Sequence, residues 1–174
     1  MLKNTNEESM STEENKAIVR RFFEEGPSKG NLNAADELLS PDFILHVPLP
    51  VSAGIKGIHE VIITCRAAFE HLNVTIEDMI AEGNNVTACF TAHGIHKGDF
   101  MGLQATGKPI TMTGIEIFRI KNGRIVELWG EANLLGLMQQ LGIFPTSVLH
   151  QLDREIIYPH YDFKHLTKSI LKSE

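Results

Sequence analysis

The chain is short of most things that would announce a function. Its 174 residues include two cysteines, one tryptophan and two tyrosines. Cys65 and Cys89 each sit in an apolar stretch and read as small buried hydrophobes of a reducing compartment, not as a disulfide or a metal pair. The cytoplasm is the expected location. Positive charge is scarce too: 16 Lys and Arg against 22 Asp and Glu leave a net charge of −6. That balance argues against nucleic acid and anionic membrane surfaces, which need clustered Lys and Arg. No apolar run approaches the roughly 20 residues of a membrane span. The opening stretch MLKNTNEESMSTEEN is polar and acidic and lacks the apolar core of a signal peptide. There is no Gly-x-Gly-x-x-Gly or Walker pattern to cradle phosphate. There is also no His-x-x-x-His or Cys-x-x-Cys spacing to hold a metal.

What is present is the composition of an ordinary globular domain, 43% hydrophobic and 22% charged. Residues 1–10 read as a disordered leader, 11–145 as the folded domain and 146–174 as a C-terminal helical extension with two weak amphipathic patterns. Ser11 with Glu14 forms a capping-box pattern, and Ile18, Val19, Phe22 and Phe23 then recur at helical spacing. Gly26-Pro27 ends that helix near Glu25. A short helix is expected over Leu32–Leu39, a strand over Asp42–Val47, and a further helix from Gly57 with Val61, Ile62, Cys65, Ala68, Phe69 and Leu72 on one face. From Val74 the period changes from 3.6 to 2. The runs Val74–Ala81, Val86–Ile95, Lys108–Ile120 and Arg124–Asn133 predict four strands, and Leu134–Leu141 a closing helix. Helices first and an antiparallel meander second make an α+β layout with helices on one sheet face.

The turn Lys121-Asn122-Gly123 permits two hairpins. A two-residue Asn-Gly loop pairs Lys121 with Arg124; a three-residue loop with Gly123 left-handed pairs Ile120 with Arg124. The second register sets Met112, Gly114, Glu116, Phe118 and Ile120 beside Val126, Leu128, Gly130 and Ala132 on one apolar face, and it is the expected one. It leaves Glu116 as a lone ionisable group among apolar neighbours, with Gly114 and Gly130 opposite each other to make room beside it. The other face, with Ile115, Ile117, Ile125 and Trp129, is too apolar for open water and predicts a homodimer through the sheet. Two histidines fall on apolar faces by the same alternation, His96 after Val86–Gly94 and His46 at the end of its strand.

The stretch GIHKGDFMGLQATGKPITMTGIEIFRIKNGRIVELW, residues 94–129, carries Gly94-x-His96-x-Gly98-x-Phe100-x-Gly102, then Thr106-Gly107-Lys108-Pro109, the Asn122-Gly123 hairpin and Trp129. Together with the closing Leu134-Leu135-Gly136-Leu137-Met138-Gln139-Gln140-Leu141-Gly142, it resembles the SnoaL-like polyketide cyclases, also called ester cyclases, of the NTF2-like superfamily. The likeness covers about residues 14–145. It implies a cone, a strongly bent antiparallel sheet with N-terminal helices on its concave face, around a pocket that needs no cofactor. It also implies ring closure by intramolecular aldol condensation, driven by a His on the first hairpin strand and an Asp on the second. Those positions align with Glu116 and Gly130 here, and both depart from the family pattern.

A carboxyl desolvated by Met112, Phe118 and Leu128 keeps its proton to higher pH, which suits a general base acting beside a carbonyl. His96 and His46 are candidate donors to an enolate oxygen. Phe100, Met112, Phe118, Leu128, Gly114 and Gly130 are candidates to line the site. Against this stands a structural Glu116 paired with an arginine, and histidines that merely satisfy loop carbonyls. Three functions stay open: an acid/base enzyme acting on a small hydrophobic carbonyl compound, a non-catalytic binder of such a ligand, and an interaction protein that docks through its sheet face and tail.

Overall fold

In a computed structural model the structure describes residues 10–143; all of the predicted leader but Met10, and the predicted helical extension, lie outside them. Helix α1 (Thr12–Phe23) starts as its sequence requires. The Ser11 hydroxyl accepts the Glu14 amide, and the Glu14 carboxylate takes the Ser11 amide at 2.8 Å. The chain continues through a π-helical turn, Glu24–Ser28, which holds Pro27. Helix α2 (Leu32–Leu38), strand β1 (Leu39–His46) and helix α3 (Gly54–Ala68) follow. Then come β2 (Phe69–Glu82), β3 (Asn85–His96), β4 (Pro109–Lys121), β5 (Arg124–Ala132) and helix α4 (Leu134–Leu141).

The expected α3 face ran on to Phe69 and Leu72, whereas the helix stops at Ala68 and both residues belong to β2. A bulge between Glu70 and Asn73, with His71 at φ 55°, puts an extra residue in the strand. Phe69 and Leu72 therefore both point inward three residues apart, a spacing that mimics a helix.

The sheet order is β1-β5-β4-β3-β2. This corrects the strongly bent antiparallel cone. The sheet is open, not strongly curled or closed, because β1 and β2 are its two edges and form no ladder with each other. It is also mixed, since β1 runs parallel to β5. Alternation along a strand reports which side is buried and is silent on how strands are ordered or coiled.

The β4–β5 hairpin corrects the second expectation. Lys121 pairs with Arg124 across a two-residue Asn122-Gly123 turn, both at positive φ (51° and 73°), as a type I′ turn requires. Val126 is then bulged, so Arg119 pairs with Glu127, Phe118 with Leu128 and Glu116 with Gly130. The bulge restores the facing that the other loop would have given, two residues further along. It also turns Ile125 inward, fully buried instead of exposed. The core lies between the sheet and the helices, where Phe22 and Phe23 of α1 meet Phe118 and Phe90 edge-on or tilted at 5.5–5.8 Å. At the far end of β4, the Gln140 side-chain amide bonds Thr111 N and O, both at 2.8 Å, and so continues the ladder beyond the end of β5.

Candidate functional site

One face of the sheet opens onto a cavity of about 300 Å³, within the range of small-molecule sites. Its wall is apolar: Leu45 of β1 and Val47 just after it, Val61 and Ile62 of α3, Phe90 and Ala92 of β3, Met112 of β4 and Leu128 of β5 all contribute. The exposed residues Pro48, Pro50, Thr64, Met101 and Glu131 also line it and mark its rim.

Glu116 lines this cavity from the middle of β4. Its Oε2 is buried and has no hydrogen-bond partner, and no ion pair reaches it among the described residues. Burial alone pushes its pKa up to about 8, because the anion has lost its water and gained nothing in return. Gly130 stands directly across the ladder from it. A Cβ there would lie 3.5 Å from Glu116 Cγ and 3.2 Å from Val47 Cγ1, so the glycine leaves a methyl-sized space beside the carboxyl.

Gly114 does something else. It pairs with Ala132, not with Gly130, and it is not part of the wall. A Cβ at this position would lie 2.4 Å from Phe90 Cζ. Its missing side chain is thus taken up by the Phe90 ring, not by a ligand. Phe118 is fully buried in the aromatic core behind the wall. Of the expected lining residues, the structure brings Phe100, Met112, Leu128 and Gly130 to the cavity with Glu116.

Neither histidine joins them. His96 is fully buried outside the wall. Its Nδ1 accepts the Thr106 amide at 3.2 Å and lies 3.1 Å from the Thr106 hydroxyl, and its Nε2 is unpartnered. It anchors the loop whose Phe100 packs on Phe69, ring centroids 4.9 Å apart. His46 is on the opposite face of the sheet, because inward Leu45 and Val47 flank it. There it stacks on Trp129 at 4.8 Å and meets Glu127 Oε1 at 3.0 Å. Glu127 also holds Arg119 at 2.7 Å, and that guanidinium lies 5.0 Å over the Trp129 ring.

Sequence reasoning missed the Pro48–Val51 turn and the Glu60, Thr64 and Cys65 side of α3, all of which reach the wall. Glu60 and Thr64 lie on the polar side of α3, which carries no sign that it rims a cavity, and Cys65 belongs to the apolar side, which reads as core. Glu60 is tied down by Ser52, whose amide and hydroxyl bond it at 2.8 and 2.7 Å and hold its carboxyl below the usual range. Burial raises the Cys65 thiol to about 11, so it is neutral and unreactive. No cluster of three or more metal-ligating side chains exists among the described residues, and no described helix is long and apolar enough to cross a membrane.

Comparison with solved structures gives TsrD from Streptomyces laurentii, 28% identical over 78% of this chain and 99% of its own, with a TM-score of 0.71. AclR, a proposed hydroxylase from Streptomyces galilaeus, is 25% identical over 78% of this chain and 100% of its own, TM-score 0.70. A proposed polyketide cyclase from Acidithiobacillus ferrooxidans is 32% identical over 76% of this chain and 97% of its own, TM-score 0.67. No curated protein matches. The family model described as SnoaL-like polyketide cyclase matches residues 17–141. With that model covering most of the chain, the chain belongs to the SnoaL-like polyketide cyclases.

Proposed function

We propose that the protein is a cofactor-independent acid/base enzyme acting on a small hydrophobic carbonyl compound, such as a polyketide, with Glu116 as the base. The observation that carries this reading is a buried carboxyl on the wall of an apolar cavity whose Oε2 has no partner among the described residues. Its carboxylate takes a proton from the carbon beside the carbonyl, the C–H electron pair stays behind as an enolate, and that enolate is the nucleophile of ring closure or the intermediate of isomerisation. A pKa near the working pH serves both the uptake and the return of the proton. Phe100, Met112 and Leu128 supply apolar contact, and Gly130 the space beside the reacting carbon.

The test needs no knowledge of the natural substrate. Wild-type protein in heavy water should catalyse deuterium entry beside the carbonyl of tetralone, a bicyclic ketone, as followed by NMR, and Glu116→Gln should abolish it while still binding the ketone. Equal exchange by both proteins would remove Glu116 as the base.

A second reading is a non-catalytic carrier. It is favoured by the departure from the family's His and Asp pair, since Gly130 stands opposite Glu116 and neither His46 nor His96 lines the cavity. Tetralone bound by the wild type without exchange would support it. The relatives' own descriptions, one a proposed hydroxylase and another a proposed cyclase, fit a fold that hosts several chemistries. We place the protein in the cytoplasm, where its free thiols Cys65 and Cys89 stay reduced, and read it as a homodimer through the Ile115, Ile117 and Trp129 face.

A further inference from the structure

The ionisable groups in the cavity wall have one sign. Among the described residues they are Glu60 and Cys65 of α3, Glu116 of β4 and Glu131 of β5; no lysine, arginine or histidine lines it. Glu60 already has its partners in Ser52 and Lys56, the latter at 3.9 Å, and the thiol is neutral at working pH. Glu116 is different. Proteins that bury a carboxyl supply it with a cation or with backbone amides, and here Oε2 has neither. Its neighbours across the ladder are Ala88 on β3 and Gly130 on β5, which offer no side-chain donor. The missing partner has to come from a proton or from whatever occupies the cavity. An anionic ligand would set like charges together in a medium that barely screens them. A ligand with a cationic nitrogen brings both the opposite charge and the N–H donors, while the surrounding wall takes its apolar body.

We propose that the cavity is selective for hydrophobic amines, held as ammonium ions with an N–H on the Glu116 carboxylate. This rests on the reading of Glu116 as the group that meets the substrate, and it narrows that substrate to a carbonyl compound bearing a basic nitrogen. The contact has a chemical consequence. The positive charge beside Glu116 favours its ionised form, so the carboxyl releases its proton to solvent as the ammonium ion binds, and the contact that holds the substrate also converts the resting acid into the carboxylate.

The experiment is titration calorimetry at neutral pH, in two buffers of different ionisation enthalpy, with naphthylmethylamine, methyl naphthoate and naphthoate. These share one apolar skeleton and differ in charge. The amine is expected to bind at least about tenfold tighter than the ester, with naphthoate weakest, and to release close to one proton as Glu116 ionises. Glu116→Gln, nearly isosteric and checked for folding by circular dichroism, should lose both the preference and the release. Ester binding as tight as the amine's, amine binding without proton release, or no amine binding at millimolar concentration would each overturn the proposal. If the amine preference fails while wild type still exchanges the tetralone proton and Glu116→Gln does not, the carbonyl reading survives that failure. If the variant binds the amine like wild type and also exchanges like wild type, both readings fall together.

Discussion

Glu116 holds its proton well into the neutral range because, among the described residues, neither a cation nor a hydrogen-bond donor reaches its buried Oε2, and stability inherits the consequence. Its pKa is about 8 in the folded protein against 4.5 for a free side chain. Between those values the folded state keeps a proton that the unfolded chain releases. The stabilising contribution is therefore complete below the lower value and lost as pH rises through the upper one. Urea unfolding should show wild type losing stability between about pH 5 and pH 8, by at most about 5 kcal/mol, while Glu116→Gln stays flat over that window. A parallel loss in the variant would place the titration elsewhere. Turnover should run the other way and rise with pH as the base form appears.

The two glycines separate at the same scale. Gly114→Ala drives a methyl group into the Phe90 ring, and overpacking of that kind costs about 1–3 kcal/mol, readable as a lower unfolding midpoint. Gly130→Ala meets its neighbours at 3.2–3.5 Å and should fold with little loss. It should instead weaken ligand binding, because the methyl group occupies the space beside Glu116. If Gly114→Ala were neutral, Phe90 would have to be free to move aside.

Among the elements, legibility followed the locality of the signal. The cap at Ser11 and Glu14 and the α4 boundaries at Leu134 and Leu141 are written in a few adjacent residues, and each is found where the sequence puts it. The bulges were not legible. At Val126 one extra residue reverses the pairing parity set by the turn, so a correct assignment of faces near Glu116 was reached through the wrong loop. The same bulge buries Ile125, which unbroken alternation would expose. The bulge at His71 similarly disguised the start of β2 as the end of α3. Glu116 was found because a single acid in an apolar row needs only period-2 counting. His46 was misread because the same counting ran on to the strand end, where Leu45 and Val47 take the inward positions, whereas His96 lies on the buried face that counting gives it and holds Thr106 there instead of lining the cavity. The parallel β1–β5 pairing and the open sheet depend on contacts between distant segments, which no local pattern encodes.

For the whole molecule, the outer sheet face is what an isolated chain would leave unexplained. Ile44, Ile115 and Ile117 are 51%, 52% and 41% exposed, and Ile117 pairs across the ladder with Trp129. Beside them Arg119 and Glu127 offer both charges within one patch, so the surface can meet a rotated copy of itself without like charges opposed, as a two-fold interface demands. Ile117 lies on the face away from the cavity, and replacing it there should not touch the site. Ile117→Glu would bring two carboxylates toward one apolar contact and is expected to convert the assembly to a 19.4 kDa monomer in sedimentation, with Glu116-dependent ligand binding retained. If wild type already sediments as a monomer across the micromolar range, the patch does not serve self-association. If instead the variant loses ligand binding along with its partner, the two faces of the sheet are coupled, and the cavity depends on the dimer for its shape.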